Sequence, residues 1–267
     1  MQRVKILVAP SELKTVNRKV VEYLNIHILN YEKLFLNLSK DLEEYVRELA
    51  EGAPYNLVIE ALRDVISGPF TTWLSGVEAI LKAIRGIALK YPKLELYCYK
   101  DPEFTRLTLR FAVEATLRIL RWSITDKINP DEWVRIISFW LSKEKEAVEK
   151  EVKNIINEID DAEDSLCIAG FEGRYLSSGI RSYGYDVDLE YMCLPYHFTP
   201  LEILLREIRM KWGSLDQYPK ERLERLIEEH AKFIKNYVVP NRDYEEAYIK
   251  WLADNVSWLR GVRHYLN

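Results

Sequence analysis

Three carboxylates stand where a short apolar run gives out. Glu12 follows Val4-Lys5-Ile6-Leu7-Val8-Ala9-Pro10, Asp101 follows Leu94 to Lys100, and Glu172 follows Ser165 to Gly170. Converging carboxylates bind a hard divalent cation or push one another's pKa values apart for acid–base work. The plainer role of each is to cap a helix N-terminus or to pair with a surface lysine. The turn Gly170-Phe171-Glu172-Gly173 leads from a strand into a helix, where backbone amides can hold an anion with Arg174 beside them. It lacks both the G-x-G-x-x-G pattern and a Walker lysine, so its plainer use is close approach of helix and strand. The four histidines show no metal-ligand spacing. His230, among Glu228, Glu229 and Lys232, is expected on a solvated face, and His197 lies just past the last strand. Cys98, Cys167 and Cys193 are expected in apolar strands as small buried hydrophobes. No G-x-S-x-G elbow occurs.

The elements that must position these groups are legible from periodicity. Five short runs read as strands: 4–9, 33–38, 94–99, 165–169 and 185–192. Between and after them, apolar residues recur every three to four positions over about 11–23, 40–51, 55–66, 70–90, 103–122, 143–159, 199–211, 219–236 and 243–260. Ser11 and Ser39 are expected to cap the helices that follow the first two strands, and Gly184 to stop one in the left-handed conformation. Strands alternating with helices predict an α/β fold, a mainly parallel five-stranded sheet covered by helices on both faces. In the fifth strand Tyr185, Val187, Leu189 and Tyr191 alternate with Asp186, Asp188 and Glu190, a pattern of sheet edges. The expected organisation is an α/β domain over 1–198, with a helical insertion around 40–92 and a C-terminal helical extension over 199–267 packed on it.

Composition narrows the class. The 267 residues carry 38 Lys+Arg against 42 Asp+Glu, a net charge of −4, which argues against a nucleic-acid partner. No apolar run reaches the roughly 18 residues of a membrane span, and no signal-peptide pattern opens the chain. Three cysteines are a poor basis for a secreted disulfide framework. A soluble cytoplasmic protein is therefore expected. Only Gln2 and Gln217 represent glutamine among abundant Glu, Lys and Arg, a composition of thermophile type. Tyr244, Tyr248, Trp251, Asn255, Trp258 and Val262 form a stripe on the last helix, either core or a self-association surface.

The order of elements, with Ala9-Pro10-Ser11-Glu12 after the first strand and Gly170-Phe171-Glu172 after a later one, resembles the TraB/Tiki and ChaN-like superfamily, which has erythromycin-esterase relatives. In that family both turns carry a His where this chain has Glu12 and Glu172. The resemblance implies hydrolysis at the carboxyl ends of the strands. Glu12 and Glu172 would be the metal ligands or the acid–base pair, Asp101 would stand nearby, and Arg174 would stabilise developing negative charge. It also implies a small-molecule or peptide ligand. Glutamates in place of histidines shift the metal toward Mg or Mn. The alternative is a non-catalytic ligand-binding or self-assembling relative, a homo-oligomer formed through the aromatic C-terminal helix. Gly170 and Gly173 are the cofactor-binding candidates, and a third reading is a nucleotide sensor that uses their turn.

Overall fold

The structure, a computed structural model, describes residues 3–256 apart from 67, 126, 128, 160–163, 213, 214 and 242. The chain divides into two compact units. The first comprises residues 1–110 and 142–194, the second 111–141 and 195–267. Residues 111–141 thus group with the C-terminal helices, a partition that sequence periodicity does not disclose.

The first unit is built on five parallel strands, β1 (Arg3–Val8), β2 (Lys33–Ser39), β3 (Glu95–Lys100), β4 (Ser165–Ala169) and β5 (Asp186–Tyr191). Their order is β3-β2-β4-β1-β5, so β3 and β5 are the edges. The three interior strands are nearly continuous apolar runs because both their faces are covered. β5 alternates and lies at an edge as expected. Two of its acidic residues are paired from the neighbouring strand, with Lys5 Nζ 3.1 Å from Asp188 and 2.7 Å from Glu190. Burial disfavours the Lys5 charge, but the two carboxylates outweigh it and hold its pKa above the ordinary lysine value.

After β1 comes α1 (Lys14–His27), and after β2 come α2 (Glu43–Glu51), α3 (Tyr55–Val65) and α4 (Phe70–Lys90). α4 packs against both α1 and α2. α5 (Pro102–Thr125) and α6 (Pro130–Ile156) follow β3, and α7 (Gly173–Ser182) links β4 to β5. The far end of α6 and α7 cover one sheet face, where Val152, Ile155, Leu176 and Ile180 pack on Ile6, Val8, Phe35 and Cys167. The two expected serine caps do not form. α1 begins at Lys14 with Leu13 at its N-cap, and Ser39 leads into a short 3-10 turn without a side-chain cap bond. Gly184 does stop α7 at φ 93°. Cys98 and Cys167 are buried in strands, whereas Cys193 lies beyond β5 and is only half-buried.

In the second unit, the outer part of α5 and the first part of α6 join α8 (Pro200–Glu207), α9 (Lys220–Phe233) and α10 (Tyr244–Asn255). Its core combines Ala115, Ile119, Trp133, Ile137, Leu204, Leu223 and Ile227. α8 starts with a full capping box between Thr199 and Glu202, and both α8 and α9 continue into a π-helical turn. His230 is buried, not solvated, because it falls in the Leu223–Leu226/Ile227–His230/Ala231 stripe of α9. Burial without a compensating partner lowers its pKa to about 4. The aromatic face of α10 is used internally. Tyr248 is buried, its hydroxyl donates to the His197 carbonyl at 2.8 Å, and its ring stacks on Tyr196. Trp258 and Val262 lie outside the described residues. Among the described residues no helix is long and apolar enough to cross a membrane.

Candidate functional site

Ligands of open parallel sheets bind beyond the carboxyl ends of the strands. On this rim β3, β2 and β4 end side by side. Lys100 is the last residue of β3, and its ammonium donates to Glu151 Oε2 at 3.0 Å and to Glu172 Oε1 at 3.1 Å. Glu151 comes from α6 and Glu172 from the β4–α7 turn, so one cation joins three segments of the chain. Behind it, the Asp101 backbone N–H donates to Glu151 Oε1 at 3.3 Å, while the Asp101 side chain accepts from Phe104 N–H at 2.8 Å and pairs with Lys150 at 3.1 Å. Asp101 thus serves as the N-terminal cap of α5 as well as a neighbour of the Lys100 cluster.

A second polar layer fixes the strand ends beneath. Tyr99, fully buried, donates to the Ile168 carbonyl at 3.0 Å and lies 3.3 Å from Asn37 Oδ1, while Asn154 of α6 donates to the Tyr99 carbonyl at 3.0 Å. The β2–β3 register shifts between Leu36 and Ser39, the segment that carries Asn37. Burial, with nearby carboxylates, holds the Tyr99 hydroxyl far above its ordinary pKa, so it is a fixed donor.

The electrostatics divide the two glutamates. Glu151 is almost wholly buried, and desolvation pushes its pKa up to about 7 against the pull of Lys100. Burial acts on Glu172 in the same direction, but Lys100 and the backbone amides of its own turn overcome it and hold its pKa below the ordinary value. Burial also opposes the Lys100 charge, and the two carboxylates together keep it raised. At neutral pH the rim therefore holds an ammonium, an ionised carboxylate and a carboxyl near its midpoint, a combination suited to acid–base work.

The glycine turn is filled from within. The Gly170 N–H donates to Glu172 Oε1 at 3.2 Å, and a Cβ at Gly170 would stand 2.5 Å from Glu172 Oε2. The anion held by this turn is its own glutamate. Gly173 serves close packing: a Cβ there would lie 2.8 Å from Val8 Cγ2 and 3.2 Å from Ala169 Cβ.

The structure therefore brings Glu172 and the Asp101 backbone to the Lys100 cluster. Arg174 is exposed on the first turn of α7, and Glu12 is exposed in the turn after β1. That β1–α1 turn is tied to α4, since Asn17 donates to both the Ser11 and Gly76 carbonyls at 2.8 Å. Beside it a crevice lined by Ala9, Leu36, Asn37, Val77 and Ile168 has an open volume of about 20 Å³, room for about one water. Among the described residues no group of three or more His, Cys, Asp or Glu stands together as a metal set. Glu172 Oε1 is already held by Lys100 and Gly170. This donor set does not fit a resident divalent ion at Glu172.

Two members of this cluster carry little signal in the sequence. Lys100 is visible only as a residue following a strand, and Glu151 stands among the Lys and Glu residues that fill the positions between the apolar ones of 143–159. A signal does exist: Ala147, Glu151 and Ile155 recur every four residues, and all three are buried. Compared with protein-family models, with curated proteins and with solved structures, the chain finds no match.

Proposed function

We propose that the carboxyl rim formed by β3, β2 and β4 is a hydrolase site acting on a small ester or peptide. The observation that carries this reading is Lys100 suspended between Glu151 and Glu172 at the strand ends. The TraB/ChaN-like resemblance of the two turns supports the same reaction class. In the proposed reaction Glu172 takes a proton from water as its oxygen attacks the substrate carbonyl carbon. The Lys100 ammonium faces the oxygen that becomes negative. When the tetrahedral intermediate collapses, the proton on Glu172 passes to the leaving alkoxide or amine and the acyl bond breaks. Glu151 is buried behind Lys100 and acts as a positioning residue. No step runs through a metal.

A screen of chromogenic ester and peptide substrates tests this, with wild type beside Glu172→Gln and Glu12→Gln. The expected outcome is hydrolysis that falls about 100-fold or more in Glu172→Gln, the range of a lost general base, and persists in Glu12→Gln and in chelator. Calorimetric titration of Mn²⁺ and Mg²⁺ into the Glu12→Gln/Glu172→Gln variant adds a check. Metal binding by wild type that vanishes in this variant would overturn the metal-free scheme. A ligand-binding rim without catalysis is the second reading, favoured because Lys100 and Asp101 are each already paired. Absence of turnover on every substrate class would select it.

A further inference from the structure

The outer part of α5 is apolar on two opposite sides. One side, Phe111, Ala115, Ile119 and Trp122, faces the core of the second unit. The other, Val113, Leu117, Leu120 and Ile124, is 45%, 58%, 46% and 84% exposed. At about 100° per residue the centres of these stripes lie about 170° apart. A solvated helix normally has one apolar face, and a second one marks a surface that another element covers.

The spacing of the exposed stripe is four, three, four, the period of a coiled-coil seam. Its flank is charged with both signs: Glu114 and Arg121, seven residues apart, occupy equivalent positions beside the seam. Each has a weak local partner. Glu114 lies 3.2 Å from Arg118, and the exposed Arg121 is 3.5 Å from Glu132. An antiparallel two-fold pairing would set Val113 against the partner's Ile124 and Leu117 against the partner's Leu120. It would also bring Glu114 alongside the partner's Arg121, twice by symmetry. A parallel pairing would face both charges with Thr116 and Ser123 and gain no ion pair.

From this self-complementary charge pattern we infer that α5 is a homodimerisation surface, and that its occupant is the α5 of a second copy in antiparallel orientation. A seam of four side chains per helix is small beside the roughly 1,000 Å² of a stable interface, so the dimer is a weak, concentration-dependent one. Such a dimer does not depend on the proposed hydrolase site.

Sedimentation equilibrium over a wide concentration range tests it on the full chain. Wild type is expected to pass from monomer to dimer as concentration rises. Leu117→Glu/Leu120→Glu is expected to stay monomeric with unchanged helical circular dichroism, because both positions are exposed. Glu114→Arg and Arg121→Glu should each weaken the dimer several-fold, and the double exchange should restore it. A wild type that is monomeric throughout would overturn the inference, as would a Leu117→Glu/Leu120→Glu variant that dimerises equally. Failure of the double exchange to restore affinity would overturn the antiparallel pairing. Binding of a monomeric wild type to anionic phospholipid vesicles, lost in the leucine variant, would reassign the stripe to a membrane surface.

Discussion

The two units bury titratable groups in opposite ways. In the sheet unit, Glu151 and Glu172 stand with Lys100 between them, and each accepts one further bond from a backbone amide, Asp101 N–H and Gly170 N–H respectively. In the helical unit, His230 is buried with no hydrogen-bond partner on Nδ1, and its surroundings simply keep it neutral. The first arrangement holds Lys100 and Glu172 in their charged forms at a strand end and leaves Glu151 near its midpoint, where chemistry is possible. The second discards charge for packing. The difference teaches where function is to be sought: a buried ionisable group that keeps its charge needs an arranged set of partners.

The largest test of that contrast is Lys100→Met. It leaves two carboxylates facing each other without their cation, and the expected loss is about 3–5 kcal/mol in urea unfolding. A loss under about 1 kcal/mol, the range of exposed pairs, would break the comparison.

Next come two pH slopes of opposite sign. Glu151 has a folded pKa raised to about 7, so the native state binds the extra proton. The stability it contributes is greatest below its unfolded pKa, near 4.5, and is lost as pH rises toward 7. For His230, lowered to about 4, the unfolded state binds the extra proton, and stability is lost as pH falls from 6.5 toward 4. A tenfold change in proton affinity is worth about 1.4 kcal/mol, which makes each effect on the order of 2–3 kcal/mol. Relative to wild type, Glu151→Gln should gain stability as pH rises from 4.5 to 7. His230→Leu should gain relative to wild type as pH falls from 6.5 to 4. Unfolding free energies measured across that window check both, and parallel curves for variant and wild type would remove the assigned burial effect.

The smallest effect belongs to the cap of α8. Thr199→Ala removes the hydroxyl's half of the capping box while the backbone N–H of residue 199 still donates to Glu202, and it is expected to cost about 1 kcal/mol in the same unfolding assay.

What is legible in the sequence is local. The strands announce themselves as short apolar runs, stopped by Pro10 after β1 and Gly170 after β4, α4 matches its periodicity from 70 to 90, and the acidic alternation of β5 marks it as an edge. The candidate site is half legible. Glu172 and Asp101 follow strands, but their meaning depends on Lys100 meeting residues 51 and 72 positions away. Only the β3-β2-β4 order creates those meetings. The serine caps fail because each serine precedes a turn that delays or tightens the helix start. His230 reads as solvated because its charged sequence neighbours outweigh the stripe it belongs to.

One hydrogen atom carries an unexpected burden. Gly173 has no room for a methyl group above Val8 and Ala169, so the clearance between α7 and the sheet is set by the smallest side chain available. Glu172 is the residue immediately before it, and its carboxylate meets Lys100 at a height that this clearance dictates. Enlarging residue 173 would act like a shim under a hinge plate: α7 lifts, the carboxylate leaves its register with the ammonium, and the rim is disabled from underneath, with every polar residue of the cluster still in the chain.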